Sequence, residues 1–145
     1  MLPLLPYFTT SRYRVEAMSE LADPKPGEKG ADLGSGDGRI TIAFAKKDVE
    51  MHGFELNKEF VTISKNTIES EGLTNASIFQ RDFWEIDLSV YDIIAIYPMP
   101  DILEALEEKL KKEAKPGARI LTNYYPLPTW SPEKQKDHIS LFIKE

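Results

Sequence analysis

Residues 31–40 read Ala-Asp-Leu-Gly-Ser-Gly-Asp-Gly-Arg-Ile, and their types and spacing could do chemistry. Gly34, Gly36 and Gly38 alternate with Ser35 and Asp37, so a ligand could lie directly against the backbone. Glycine also admits backbone angles closed to other residues, which lets a strand turn sharply into a helix. Asp32 stands just before that turn, and the apolar spacing of Ile40, Ala43 and Phe44 begins a helix just after it. Strand, glycine turn and helix in this order predict a nucleotide-binding crossover.

The charge of the turn selects among nucleotides. A dinucleotide fingerprint has glycines at its first, third and sixth positions. Counted from Gly34, the sixth position is Arg39, and the third glycine comes one place early at Gly38. A pyrophosphate wants bare amides at a helix N-terminus. Asp37 instead puts a carboxylate into the loop and Asp32 another beside it. Like unit charges 4 Å apart cost about 4 kcal/mol at an effective dielectric of about 20. S-adenosylmethionine carries a sulfonium and an ammonium and no phosphate, so the same carboxylates favour it. The turn from Gly34 to Gly38, with Ser35, Gly36 and Asp37, is therefore expected to bind that cofactor.

Further along, Glu55 follows the second expected strand and can accept both ribose hydroxyls. Asp82 follows the third and can accept from the adenine amine, with the Phe83 amide facing a ring nitrogen. Taken singly, Glu55 or Asp82 is equally well an exposed charge capping a loop; order and position relative to the glycine turn join them into one constellation. After the fourth strand comes Tyr97-Pro98-Met99-Pro100, where the Tyr97 side chain and the Pro98 carbonyl stand at a strand end facing the expected ligand edge and could meet a methyl acceptor. Tyr7, Phe8, Tyr124 and Trp130 could wall an acceptor channel, although Trp84 and Trp130 are equally well explained as packing. No metal site is expected: there are no cysteines, and His52 and His138 lie far apart in sequence.

The elements that must position these groups follow from pattern. Residues 1–9, with Pro3 and Pro6, should run extended, and Thr10 or Ser11 can cap a helix to about residue 22. The first strand, about 29–33, is short and barely apolar. A helix to about Lys47 follows the glycine turn, then a strand from Val49 to Glu55. Asn57 can cap a helix carrying Phe60, Ile63, Thr67 and Ile68. Strands are expected at Ala76–Arg81, Asp92–Tyr97 and Ala118–Tyr124, and a last one at His138–Ile143 that is expected to pair alone. Asp101 and Glu104 have capping-box spacing at the start of a helix with Ile102, Leu103, Leu106 and Leu110 inward. Its lysines Lys109, Lys111, Lys112 and Lys115 suit the helix dipole better than a binding patch. Alternating strands and helices predict an α/β, Rossmann-like, doubly wound, mostly parallel sheet with helices on both faces. In such a sheet the ligand lies across the carboxyl ends of the strands.

Composition bounds the rest. The 145 residues suit one domain, 1–145, with 1–22 as an N-terminal extended segment and helix over the cofactor site. The formal charge of −6 disfavours nucleic acid and is compatible with a basic protein partner. The Met-Leu-Pro-Leu-Leu-Pro start lacks the pattern of a signal peptide, and no stretch has membrane-spanning length, so a cytoplasmic monomer is expected.

Together these residues resemble the class I S-adenosylmethionine-dependent methyltransferases. More closely the chain is similar to the small protein-lysine methyltransferases, a group with archaeal broad-specificity members and mitochondrial members acting on the ATP synthase c-subunit and the adenine nucleotide translocase. The likeness rests on Pro6-Tyr7-Phe8-Thr9-Thr10, Asp32–Arg39, Gly53-Phe54-Glu55-Leu56-Asn57, Asp82-Phe83-Trp84, Lys115-Pro116-Gly117-Ala118-Arg119 and Tyr125-Pro126-Leu127-Pro128-Thr129-Trp130-Ser131-Pro132. The resemblance implies that the segment around Thr10 covers the methionine end of the cofactor and that Asp32 and Gly34 hold its amino-acid part. It also implies an exposed lysine on a protein as methyl acceptor. Tyr97-Pro98-Met99-Pro100 departs from the Asn/Asp-Pro-Pro-aromatic string of nucleic-acid amino-methylating enzymes. The alternatives are a small-molecule, RNA or DNA methyltransferase on the same fold, and a cofactor-binding protein without catalysis.

Overall fold

The computed structural model describes residues 10–145. Its centre is one seven-stranded sheet in the order β3-β2-β1-β4-β5-β7-β6. The strands are β1 (Lys29–Leu33), β2 (Glu50–Phe54), β3 (Ala76–Phe79), β4 (Ile93–Ile96), β5 (Arg119–Asn123), β6 (Lys134–Lys136) and β7 (Ile139–Ile143). The first five pair in parallel, and β7 lies antiparallel to both β5 and β6. β1 is thus interior to the sheet despite its weak apolar character: strands on both sides bury it, and Asp32 sits opposite Gly53 and Ala95.

Helices cover both faces, as the alternation of elements requires. On one face lie α1 (Arg12–Ala22), α2 (Arg39–Ala45) and α3 (Lys58–Ser70); the other carries α4 (Leu103–Glu113). β4 serves both layers. Ile93 and Ala95 pack with Met18, Phe44 and Met51, while Ile94 and Ile96 pack with Leu106, Leu110 and Phe142. Side chains alternate across a strand, so one run of apolar residues fills two cores.

Three expectations are corrected. The chain end forms a hairpin, β6 with β7, where a lone strand was expected; β6 is Lys-Gln-Lys and fully exposed, so it carries no apolar signal. α3 turns Val61, Ser64 and Ile68 inward, and Ile63 is exposed. The helix starts as expected, where the Asn57 side chain accepts the Glu59 and Phe60 amides. The capping box at Asp101 does not form. Pro100–Ile102 is a 3-10 turn and α4 starts after Ile102 with no side-chain cap. The α4 lysines are held by neighbours: Lys109 reaches Glu113 and the Trp84 and Ile86 carbonyls, Lys111 reaches Thr129, and Lys115 pairs with Asp92. Among the described residues, no helix is long and apolar enough to cross a membrane.

Candidate active site

The glycine turn leaves β1 and enters α2 through left-handed angles at Gly34, Gly36 and Gly38, with φ of 75, 56 and 86°. Most of its amides are bonded within the protein. Those of Gly34 and Ser35 both donate to the Phe54 carbonyl, at 2.8 and 3.0 Å. Gly36 donates to Glu55 Oε1 at 2.7 Å, Gly38 to the Ser35 carbonyl at 2.9 Å, and Arg39 to Asp37 Oδ1 at 3.3 Å. A phosphate cradle needs such donors aimed at the ligand. Here five of them are already committed to protein oxygens.

Asp32 lies beneath the turn. It is 1% exposed, and its Oδ2 accepts from the Thr41 amide at 3.1 Å and the Thr41 hydroxyl at 2.8 Å. Burial pushes its carboxyl up to about 7, because the charged form loses hydration; the Thr41 bonds oppose the rise, and the nearby Glu55 and Asp37 charges add to it. Asp32 borders a recess of about 30 Å³ lined also by Thr10, Gly34, Ser35, Gly36, Asp37, Arg39, Ile40 and Tyr97. The Ser35 hydroxyl is buried and has no hydrogen-bond partner among the described residues. A recess of this size takes one small polar group. An ammonium meets what Asp32 and Ser35 lack, a positive charge and a donor, so these residues fit the amino-acid end of S-adenosylmethionine and not a pyrophosphate.

Seven of the expected residues therefore come together: Thr10, Asp32, Gly34, Ser35, Gly36, Asp37 and Tyr97. Gly38 is the N-cap of α2, and a Cβ there would press on Ser64 at 3.1 Å. Glu55 stands at the end of β2 with one oxygen on the Gly36 amide and the other on the Asn57 amide at 2.9 Å. A carboxylate has about four lone-pair sites, so it retains capacity for ribose hydroxyls in a fixed orientation. Asp82 and Phe83 lie past β3 and do not line the recess. The Asp82 side chain caps a 3-10 turn by accepting the Trp84 amide at 3.0 Å. Pro98 is buried next to Tyr97. Of the suggested channel walls, Tyr7 and Phe8 lie outside the described residues. Trp130 packs against Phe142, with ring centroids 5.8 Å apart, and Tyr124 is exposed at the end of β5.

Sequence reasoning missed Thr41, which orients Asp32. Its signal was a hydroxyl in the first turn of α2, nine residues after the carboxylate. It also missed Arg39 and Asn123. Arg39 pairs with Asp37 at 2.5 Å and donates to the Thr10 carbonyl at 3.1 Å. Asn123 donates to the Thr10 hydroxyl at 2.9 Å across 113 residues of chain, a contact with no local signature.

The antiparallel β7 between β5 and β6 separates this sheet from the dinucleotide-binding order, in which the strands run on in parallel. That topology, with a turn suited to a cationic cofactor, is the class I S-adenosylmethionine-dependent methyltransferase fold. A solved RNA methyltransferase from Salinibacter ruber, in complex with S-adenosyl-L-homocysteine, superposes with a TM-score of 0.87 at 26% identity, covering 95% of each chain. Residues 32–134 match the profile of the ANTKMT methyltransferase domain, and the chain belongs to that family. A protein-lysine N-methyltransferase from Saccharolobus islandicus is 35% identical over 136 residues, 91% of this chain and 84% of that protein. The human lysine N-methyltransferase of the ATP synthase C-subunit is 33% identical over 137 residues. The alignment covers 94% of this chain but only 57% of the human protein, so the chain spans little more than half the length of that relative.

Proposed function

We propose that this protein transfers a methyl group from S-adenosylmethionine to the ε-amino group of lysine in a protein. The observation that carries the reading is the recess at the glycine turn: its amides are committed internally, and a buried carboxylate waits for a cation. The protein-lysine N-methyltransferase names of the relatives give the acceptor class.

Bound S-adenosylmethionine supplies an electrophilic methyl carbon on a good leaving group. The chain's residues have the remaining work. Asp32 would hold the cofactor ammonium, Thr10 and the glycine turn would enclose that end, Glu55 would accept from the ribose, and Asp82 with Phe83 would meet the adenine. Tyr97 lines the recess from the end of β4, where its hydroxyl and the Pro98 carbonyl can orient the acceptor nitrogen. A lysine must first lose a proton, since its unperturbed pKa is about 10.4. Partial desolvation beside Tyr97 lowers that value. Alignment and exclusion of water then account for the acceleration.

The Salinibacter ruber neighbour's name raises RNA as a second acceptor class. A chain of net charge −6 repels a polyanion and attracts a basic protein, which favours lysine. Incubation with methyl-labelled S-adenosylmethionine and, separately, basic proteins, RNA or a metabolite pool decides the matter. Label recovered as methyl-lysine is expected; label in RNA alone overturns the proposal. Tyr97→Phe should lower kcat about tenfold or more while leaving S-adenosylhomocysteine affinity nearly intact, since it removes an interaction made with the acceptor. Unchanged turnover would remove Tyr97 from the mechanism.

A further inference from the structure

Asn123 is the last residue of β5 and is fully buried. Its Nδ2 donates to the Thr10 hydroxyl at 2.9 Å, and its Oδ1 accepts from Arg14 Nη1 at 3.3 Å. The pairing of Ile96 with Thr122 puts Asn123 one step further along, abreast of Tyr97. Thr10 is 5% exposed and forms part of the recess wall. The side chain of Thr10 is thus held from β5, while its carbonyl is held by Arg39 Nη1, whose guanidinium also pairs with Asp37 of the glycine turn. The residue after Asn123 is unusual as well. Tyr124 adopts a left-handed φ of 71°, its amide donates to the His138 carbonyl at 2.7 Å, and the Arg14 guanidinium lies 5.4 Å from its ring centroid.

A buried amide makes a costly strand terminus where an apolar side chain would pack without partners. Here one end of that amide meets Thr10, just before α1, and the other meets Arg14 in the first turn of α1. The two grips, from β5 and from the glycine turn, fix Thr10 in the wall of the recess. We infer that Asn123 is a positioning residue for the cofactor site: through Thr10 it sets the wall against which the amino-acid end of the cofactor is held. The inference rests on the methyltransferase reading above and adds to it a residue from the far end of the sequence.

The test is a double-mutant cycle read as S-adenosylhomocysteine affinity by calorimetry at 25 °C, on the full chain with folding checked by circular dichroism. Asn123→Leu removes the amide at similar volume, and Thr10→Val removes the hydroxyl it binds. Each is expected to weaken binding about tenfold, and the double variant no more than either single one, because both delete the same bond. A purely structural role would lower the melting temperature of Asn123→Leu and leave the affinity of the folded protein unmoved; that result overturns the inference. So does a double variant whose loss is the product of the two single losses. Should Asn123→Leu fail to fold, Asn123→Ser takes its place in the cycle with the same expectations. Absence of S-adenosylhomocysteine binding by the unaltered chain would instead overturn the methyltransferase reading, an outcome distinct from normal binding by the variants.

Discussion

At the scale of single residues, the burial of Asp32 costs stability, and the proposed cofactor role would set binding against that cost. Its carboxyl is pushed up to about 7 by burial, against 3.8 for a free aspartate. A folded-state value above the unfolded one means that the native state holds the extra proton. The associated stability is full below about pH 4 and is lost as pH rises toward about 7, a loss of about 4 kcal/mol. Asp32→Asn keeps an acceptor for Thr41 and removes the charge. The variant should therefore gain stability relative to the unaltered protein between pH 5 and pH 8 in urea unfolding. A gap independent of pH would show that Asp32 titrates normally. Under the proposed function the cofactor would reverse the balance, because an ammonium beside Asp32 favours the ionised carboxylate. Affinity for S-adenosylhomocysteine should rise severalfold between about pH 6 and about pH 7.5, below the range where an α-amino group loses its proton. In Asp32→Asn binding should be weak at both values, and strong binding there would remove Asp32 from the site.

At the scale of elements, β2, β3, α2 and the glycine turn approach one another closely around Gly53. A Cβ at that position would lie 2.7 Å from Ile78 Cδ1, 2.8 Å from Thr41 Oγ1 and 2.9 Å from Ser35 Cβ. Gly53→Ala must therefore displace the hydroxyl that holds Asp32 and the serine beside it. A loss of about 1–3 kcal/mol is expected, as for overpacking elsewhere, and it should come with weaker S-adenosylhomocysteine binding. Full affinity in a destabilised variant would mean that the turn tolerates the shift. The same neighbourhood shows what was legible in the sequence. The turn was readable because each of its glycines answers a backbone requirement, and Asp32 was readable from its charge. The placement of β1 in the interior of the sheet owed little to its own residues: Lys-Gly-Ala-Asp-Leu is weakly apolar, and only the turn that follows it marked the strand. The inward face of α3 and the strand β6 were illegible for different reasons. A one-residue change in helix phase moves the buried row from Ile63 to Ser64, whose hydroxyl bonds the Gly36 carbonyl at 3.0 Å. β6 has no buried residue to betray it.

At the scale of the whole molecule, the candidate site draws on segments far apart in the chain. Thr10 precedes α1, Asp32 lies in β1 with the glycine turn after it, Glu55 follows β2, and Tyr97 follows β4. Asn123 ties the end of β5 to the same place. A ligand that touches several of these segments at once is lost when any of them unfolds, so its binding energy adds to the stability of the entire sheet. At a free ligand concentration of 100 times Kd, that addition is about 2.7 kcal/mol. For a chain of this length it corresponds to a rise in melting temperature of roughly 5–11 °C. S-adenosylhomocysteine should produce such a rise as a single cooperative transition, growing with the logarithm of its concentration. NAD, whose pyrophosphate finds the turn amides engaged and Asp32 and Asp37 nearby, should produce none at the same concentration. Two separated transitions with S-adenosylhomocysteine would show that the ligand stabilises only the first half of the sheet. A shift with NAD alone would overturn the reading of the glycine turn on which the candidate site is built.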